Sequence, residues 1–341
     1  MNFDEFKEKY ERKKVQEYPN NARNNPLVSV IILTYQQKEY IKDCLEGILM
    51  QKTNFPFEII IGEDDSHDGT REICIEYAKK YPDIIRLILQ HRENNMKLGE
   101  VPTLRFNLMY AIYSTRGKYI ALCGGDDYWT DFRKLQKQFD ILETRSDLAM
   151  CTHEMHHRIL DRDYRPDLKR IFSIFVRDFQ VYGLKCIPVL GKEFLFDRER
   201  FWLRKRTADQ HRRKKINYLQ DLKNGTWYMP GSSEFGKREI FLQLCVVMEK
   251  SIGDHQTALI LAAMAGGIYH IPDIMGVKQD QKLSVSKSSA RRDLLRKLDK
   301  SIETSNRIKR YRGLKKFADP AQAQILDEMI AEYTAKHISS N

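Results

Sequence analysis

Between residues 27 and 123 the chain alternates short apolar, β-branched runs with stretches whose apolar residues recur at helical spacing. No other feature constrains the fold as strongly. Leu27 to Thr34 (LVSVIILT) is a continuous apolar run, as expected of a strand covered on both faces. Glu39 to Gln51 then sets Ile41, Leu45, Ile48 and Leu49 on one stripe, which predicts a helix. A strand over Phe57 to Gly62, an acidic turn over Glu63 to Gly69 and a helix over Thr70 to Tyr81 follow, with Asp68 and Thr70 as capping groups. A third strand covers Ile84 to Gln90, a helix runs from about Pro102 to Ser114, and a fourth strand covers Lys118 to Cys123. Strands joined through helices imply right-handed crossovers, hence an α/β fold with a mostly parallel sheet flanked by helices. Such sheets bind ligands beyond the carboxyl ends of their strands. The polar clusters Thr34-Tyr35, Glu63-Asp64-Asp65 and Asp126-Asp127 all fall there.

Past residue 155 the alternation stops. Residues 156–225 are charged and aromatic with little periodicity, and the pattern assigns them no elements. Order returns at Trp227 to Glu234, in an apolar helix over Phe235 to Lys250 and in another over Asp254 to Ala265. In the last stretch Leu294, Leu295, Leu298 and Ile302, then Ile325, Met329, Ile330 and Tyr333, recur at helical spacing beyond a serine-rich joint at Ser284 to Ser289. This divides the chain into an N-terminal extension (1–26), two halves of one α/β domain (27–155 and 156–286) and a basic helical appendage (287–341).

Charge narrows the partners. The chain carries +11, but residues 287–316 hold +9 and residues 197–215 hold +6, so the rest is about −4 and is not a general polyanion-binding surface. Nucleic acid is disfavoured on that ground, because the carboxylates at the strand ends would repel phosphate. The six cysteines (Cys44, Cys74, Cys123, Cys151, Cys186, Cys245) are far apart, with no zinc-type spacing. They predict buried thiols in a reducing compartment. The first 18 residues lack the apolar core of a signal peptide, and no apolar run approaches the roughly 20 residues of a spanning helix. The expected location is the cytoplasm, with peripheral contact at the inner membrane face as the variant that the basic appendage suggests.

Three motifs carry chemistry. Glu63 to Thr70 (EDDSHDGT) follows a buried strand. A loop with a helix cap explains Asp68, but three consecutive carboxylates repel one another unless a donor or cation offsets them. A phosphatase motif of the form Asp-x-Asp-Gly-Thr is disfavoured, since Ser66 stands where the nucleophile belongs. Gly124-Gly125-Asp126-Asp127-Tyr128-Trp129 also follows a strand. Adjacent carboxylates there suit a hard divalent cation that completes its shell with phosphate oxygens and water, although a capped turn is the ordinary alternative. Gly253-Asp254-His255 precedes an apolar helix and by itself is an N-cap.

The order and spacing of these pieces resemble family 2 glycosyltransferases of the GT-A fold, over roughly residues 27–286 and most densely from Pro26 to Thr152. The resemblance implies that Thr34 and Tyr35 line the base site of a nucleotide-sugar donor, with Glu63 and Asp64 in the same acidic turn and Asp64 bonding the base. It implies that Asp126 holds the ribose or assists a metal, and that Asp127 coordinates Mn2+ or Mg2+ against the diphosphate. Arg105 matches a basic residue that reaches the donor. Asp254 matches the catalytic base of inverting members. The chain departs from the pattern at Glu63, at Gly124 where an acid is common, and at Lys278-Gln279-Asp280-Gln281 where many relatives have Tyr-Arg and a histidine.

The implied chemistry is inverting transfer of a hexosyl or N-acetylhexosaminyl group from a nucleoside diphosphate, a UDP-sugar by resemblance, to a hydroxyl of a saccharide or lipid-linked saccharide. Residues 27–155 would bind the donor and residues 156–286 the acceptor, with Trp227, Ser232, Ser233 and Glu234 as candidate acceptor contacts. The basic appendage has three readings: a helix pair packed on the core, an oligomerisation element or a contact with anionic lipid. The rival classes are a sugar nucleotidyltransferase, which lacks its glycine-rich loop here, and a noncatalytic nucleotide-sugar or polyanion-binding protein.

Overall fold

A computed structural model describes residues 1–22, 25–98, 101–159, 229–251, 255–280 and 300–338. The expected strands and helices from residue 27 to 124 are present with ends shifted by at most a few residues: β2 (Val28–Thr34), α2 (Ile41–Leu49), β3 (Phe57–Glu63), α3 (Thr70–Lys80), β4 (Ile85–Leu89), α4 (Arg105–Ser114) and β7 (Tyr119–Gly124). Preceding them are α1 (Phe3–Tyr10) and β1 (Gln16–Glu17), and β5 (Lys97–Leu98) pairs with β6 (Val101–Pro102) just before α4. Then come β8 (Tyr128–Trp129), α5 (Lys134–Thr144), β9 (Met150–Ile159), β10 (Phe235–Lys237), α6 (Arg238–Met248), α7 (His255–Ala265), β11 (Ile268–Asp280), α8 (Lys300–Leu314) and α9 (Pro320–Ile338).

The described strands other than β5 and β6 form one sheet in the order β1-β4-β3-β2-β7-β10-β9-β11-β8. The β4-β3-β2-β7 core is parallel, as the alternation requires, and so is the β9-β11 pair. The apolar runs divide by the two-residue period of a strand. Val28, Val30 and Ile32 face α2, α3 and α5, whereas Ile31 faces the opposite layer with α4. Ile59 and Ile61 against Ile60, and Tyr119 and Ala121 against Ile120, repeat the division. Burial of each such side chain contributes roughly 1.5–3 kcal/mol, which is why the runs show no polar alternation.

Three regions depart from the sequence pattern. Phe235 to Lys237, expected inside a helix, is the strand β10, wedged antiparallel between β7 and β9. Phe235 is fully buried and stacks on Tyr119 at 5.3 Å between ring centroids, so packing overrides local periodicity. The N-terminal residues form a helix with a capping box between Asn2 and Glu5, and Phe6 is buried against Phe106 of α4. The C-terminal helices are helical as expected but lie within the core layer: Leu314 and Leu326 are fully buried in the same cluster as Val247 of α6. The serine-rich joint and Leu294, Leu295 and Leu298 lie outside the described residues.

Cys44, Cys74, Cys123, Cys151 and Cys245 are free and buried, and Cys186 lies outside the described residues. Among the described residues no helix is long and apolar enough to cross a membrane.

Candidate functional site

Strands β3 and β7 flank β2, and all three end level: Thr34 pairs with Glu63, and Leu33 with both Gly62 and Gly124. Immediately beyond, the Asp64 N–H donates to Thr34 O at 3.0 Å and the Gly125 N–H donates to Leu33 O at 3.0 Å. The two acidic turns therefore leave the sheet on either side of β2. A side chain at Gly125 is excluded, since a Cβ there would lie 2.8 Å from Thr34 Oγ1 and 2.5 Å from Gln37 Oε1.

In the first turn, the repulsion expected of three consecutive acids is offset by arginines. Arg71 donates from Nε to Glu63 Oε2 at 2.5 Å and approaches Asp65 Oδ1 at 3.4 Å. The other Glu63 oxygen accepts from the Ser66 N–H at 2.7 Å, so this fully buried side chain anchors the loop to α3. Asp68 acts as the expected cap, accepting from both the N–H and the hydroxyl of Thr70.

Asp64 is different. It is fully buried, and its Oδ2 accepts from Arg92 Nη1 at 2.9 Å and Asn95 Nδ2 at 3.1 Å. Its Oδ1 and the nearby Thr34 Oγ1 are buried with no hydrogen-bond partner among the described residues. Burial pushes the Asp64 carboxyl up to about 6, against the pull of Asn95 and Arg92. Arg92 also stacks on Tyr35, its guanidinium carbon 4.0 Å from the ring centroid. A buried acceptor beside a stacked planar pair suits a flat heterocycle with an N–H. Arg92 and Asn95 escaped the sequence reading. The signal that would have found them is the polar run His91 to Asn95 at the carboxyl end of β4.

In the second turn, Asp127 is buried and bridges three segments. Its N–H donates to Gly124 O, its Oδ1 accepts from the Gln279 N–H of β11 at 3.0 Å, and its Oδ2 accepts from Ser232 Oγ at 2.5 Å. A Cβ at Gly124 would stand 2.9 Å from Asp126 Oδ1, 3.6 Å from Ser232 Oγ and 3.7 Å from Asp127 Oδ2. A side chain at that position would require the Asp126 carboxylate to shift. Behind the turn, Lys134 of α5 is fully buried with Nζ 3.6 Å from the Trp129 ring centroid and no hydrogen-bond partner among the described residues. Burial lowers its pKa to about 7. Nothing in the sequence pattern marks it.

Three of the residues expected at an acceptor, Ser232, Ser233 and Glu234, are buried beside the second turn. Ser232 holds Asp127, Ser233 is fully buried with its hydroxyl donating to Pro230 O at 2.7 Å, and Glu234 is fully buried with its C=O accepting from the Leu122 N–H. Together these residues frame the carboxylate turn. Half-buried Arg105 opens α4 and donates to Met96 Sδ at 3.2 Å and Ser251 O at 3.3 Å, with no carboxylate partner among the described residues. Burial holds its pKa below the usual arginine value. Trp227 and Asp254 lie outside the described residues.

Among the described residues no three acidic, histidine or cysteine side chains converge as a complete metal cage. The adjacent carboxylates of Asp126 and Asp127 nevertheless fit a divalent cation whose remaining ligands are phosphate oxygens and water. A carboxylate offers about four lone-pair sites, so the bonds to Ser232 and Gln279 are compatible with such a contact.

Residues 29–213, more than half of the chain, match the profile of glycosyl transferase family 2. An uncharacterized Mycobacterium tuberculosis protein, Rv1520, is 39% identical over 157 residues, which are 46% of this chain and 42% of that protein. The chain thus matches less than half the length of that relative. Among solved structures, Staphylococcus aureus TarS 1-349 in complex with UDP superposes with a TM-score of 0.52 at 14% identity, covering 92% of this chain and 72% of TarS. The mannosyltransferase PcManGT of Pyrobaculum calidifontis, in complex with GDP-Man and Mn2+, gives 0.51 at 17% identity over 96% of this chain and 75% of that one. At these identities the likeness is one of fold, and it is the expected GT-A architecture.

Proposed function

The chain belongs to glycosyl transferase family 2, and from that premise we propose that it transfers a hexosyl or N-acetylhexosaminyl group from a UDP-sugar to a hydroxyl of a saccharide or lipid-linked saccharide. Transfer inverts the anomeric carbon and uses Mn2+ or Mg2+. The observation that carries this reading is the pair of acidic turns on either side of β2. One offers a buried hydrogen-bond acceptor, Asp64 Oδ1, and the other two adjacent carboxylates, Asp126 and Asp127. Heterocycle and diphosphate are the two ends of a nucleoside diphosphate. The TarS complex with UDP and the PcManGT complex with GDP-Man and Mn2+ support this division.

In this mechanism Asp64, Thr34 and Tyr35 receive the base, and Arg92 and Asn95 hold Asp64 in place. Glu63 fixes the loop that carries it. When bound, a divalent cation neutralises charge that develops on the leaving diphosphate. Asp126 and Asp127 would hold it, with Arg105 and Lys278 adding positive charge on the donor side. Asp254, assigned from sequence, accepts the proton of the acceptor hydroxyl from the face opposite the diphosphate, which inverts configuration. The acceptor side is assigned to residues 156–286, with Trp227, Ser232, Ser233 and Glu234 as candidate contacts.

The test is a thermal-shift panel of UDP, GDP, dTDP, CDP and ADP, each with and without Mn2+. A ligand at about 100 times its dissociation constant stabilises by roughly 2.7 kcal/mol. UDP should shift the protein further with metal than without it. No shift with any diphosphate, together with a shift by a polyanion such as heparin, would favour the noncatalytic reading.

The exposed basic side of α8 supports a peripheral membrane contact as part of this reading. With its apolar side in the core, Lys309, Arg312 and Lys316 are exposed at three- and four-residue spacing along the helix and the turn that follows it. Such charges contribute about 1 kcal/mol each near an anionic surface. Deleting the helices would expose the core, so the measurement is flotation of K309A/R312A/K316A with phosphatidylglycerol vesicles at low salt. Flotation equal to wild type excludes the contact.

A further inference from the structure

We infer that Ser232 is a positioning residue that aims the Asp127 carboxylate at the donor's metal and diphosphate. The inference rests on the glycosyl-transfer reading and deepens it.

Ser232 comes from the segment before β10, 105 residues away from Asp127 in sequence. Its hydroxyl has one proton. The Gly124 N–H donates into Ser232 Oγ at 2.9 Å, which leaves that proton directed to Asp127 Oδ2 at 2.5 Å. One hydroxyl thereby ties the end of β7 to the carboxylate three residues on.

The support behind Ser232 is rigid. Trp129 Nε1 donates to Ser232 O at 3.0 Å, Gln138 Nε2 donates to Ser233 O at 3.0 Å, and Leu122 N donates to Glu234 O at 3.1 Å. Ser232 is 5% exposed, so water does not compete freely for its bonds. With Gln279 N holding Oδ1, the two oxygens of Asp127 are each fixed by a neutral donor. These two donors set the orientation of the carboxylate. A residue that only filled a buried polar gap could use any geometry. Here the donor is aimed at the group that meets the metal, and outer partners of that kind typically change metal affinity about 10- to 100-fold.

The test compares wild type with Ser232→Ala, Ser233→Ala and Asp127→Asn by calorimetric titration of Mn2+ in the presence of UDP, and of UDP without metal. Circular dichroism melting reports the fold of each variant. Ser233 is the control, because it is buried in the same turn and bonds Pro230 O rather than Asp127. S232A should weaken Mn2+ affinity by about 10-fold or more while metal-free UDP affinity stays within about twofold. S233A should lower the melting temperature without changing Mn2+ affinity. In the D127N background, S232A should have no further effect on Mn2+. Equal Mn2+ affinity in wild type and S232A overturns the positioning role alone, as does an equal loss in S233A. A wild type that binds no UDP with or without metal overturns the glycosyl-transfer reading first and this role with it.

Discussion

The two acidic turns begin at strand ends on either side of β2 and hold their carboxylates with different kinds of partner. In the turn after β3, Glu63 and Asp65 meet Arg71 and Asp64 meets Arg92, so guanidinium groups neutralise the cluster. What remains is a hydrogen-bond acceptor, Asp64 Oδ1, in a buried setting. In the turn after β7, the hydroxyl of Ser232 and the backbone N–H of Gln279 hold Asp127. Dipoles of this kind fix the direction of a carboxylate. A neutralised acid suits recognition of a neutral base, and an oriented carboxylate suits a cation. Sequence presents both as acidic turns after strands. Only their partners separate them.

The largest expected effect lies outside both turns. Asp254→Asn should lower sugar transfer by roughly 10²- to 10⁴-fold while UDP affinity with Mn2+ stays at the wild-type level. Turnover equal to wild type would show that the base is elsewhere. Next comes Asp127→Asn, which should weaken Mn2+-dependent UDP binding by on the order of 10- to 100-fold and leave metal-free binding alone. If the first turn lost its role instead, the comparison would be inverted.

Asp64 sharpens the contrast through pH. With its carboxyl near 6 it is charged at pH 7 and protonated below 6, so UDP affinity should fall as pH drops through about 6. Asp64→Asn should remove that dependence and weaken UDP binding by about 10-fold or more, in line with the roughly 1.5–3 kcal/mol of a hydrogen bond to a charged group. The sign for stability is separate. The folded carboxyl takes up its proton near 6 and the unfolded one near 3.8, so the folded state binds the extra proton between those values and Asp64 favours folding toward the acid side. An affinity independent of pH between 5 and 7.5 would remove Asp64 from the base site.

The smallest effect concerns Lys134. Its folded pKa near 7 lies below its unfolded value of 10.5, so the unfolded chain binds the extra proton between those values. Stability should therefore rise as pH increases from about 7 toward 10. Lys134→Met should raise the melting temperature at pH 7 and flatten that slope. An unchanged slope would assign the pH dependence to another group.

Much of the first half was legible in the sequence. β2, β3, β4 and β7 are apolar runs of strand length, and the helices between them show their stripes, because these patterns depend on neighbours within about seven residues. Thr34, Asp64, Asp126 and Asp127 could be placed at strand ends for the same reason. Ser232 could not be placed beside Asp127. Its segment looks like the entry to a long helix, and only the insertion of β10 between β7 and β9 brings it there. Arg71 was equally hidden, since nothing local distinguishes an arginine on an acid from one in water. Phe3, Phe6 and Tyr10 do carry a helical spacing in the N-terminal segment, but its dense charge concealed the face that packs on α4.

The sequence by itself determined the parallel α/β core and the level at which its carboxylates emerge, because strand and helix periods are written in residues a few positions apart. The tertiary structure decided what holds each carboxylate. Burial and sheet order brought Arg92 to Asp64 and Ser232 to Asp127, and the partners of a charge, which come from distant positions, set whether it is neutralised or aimed.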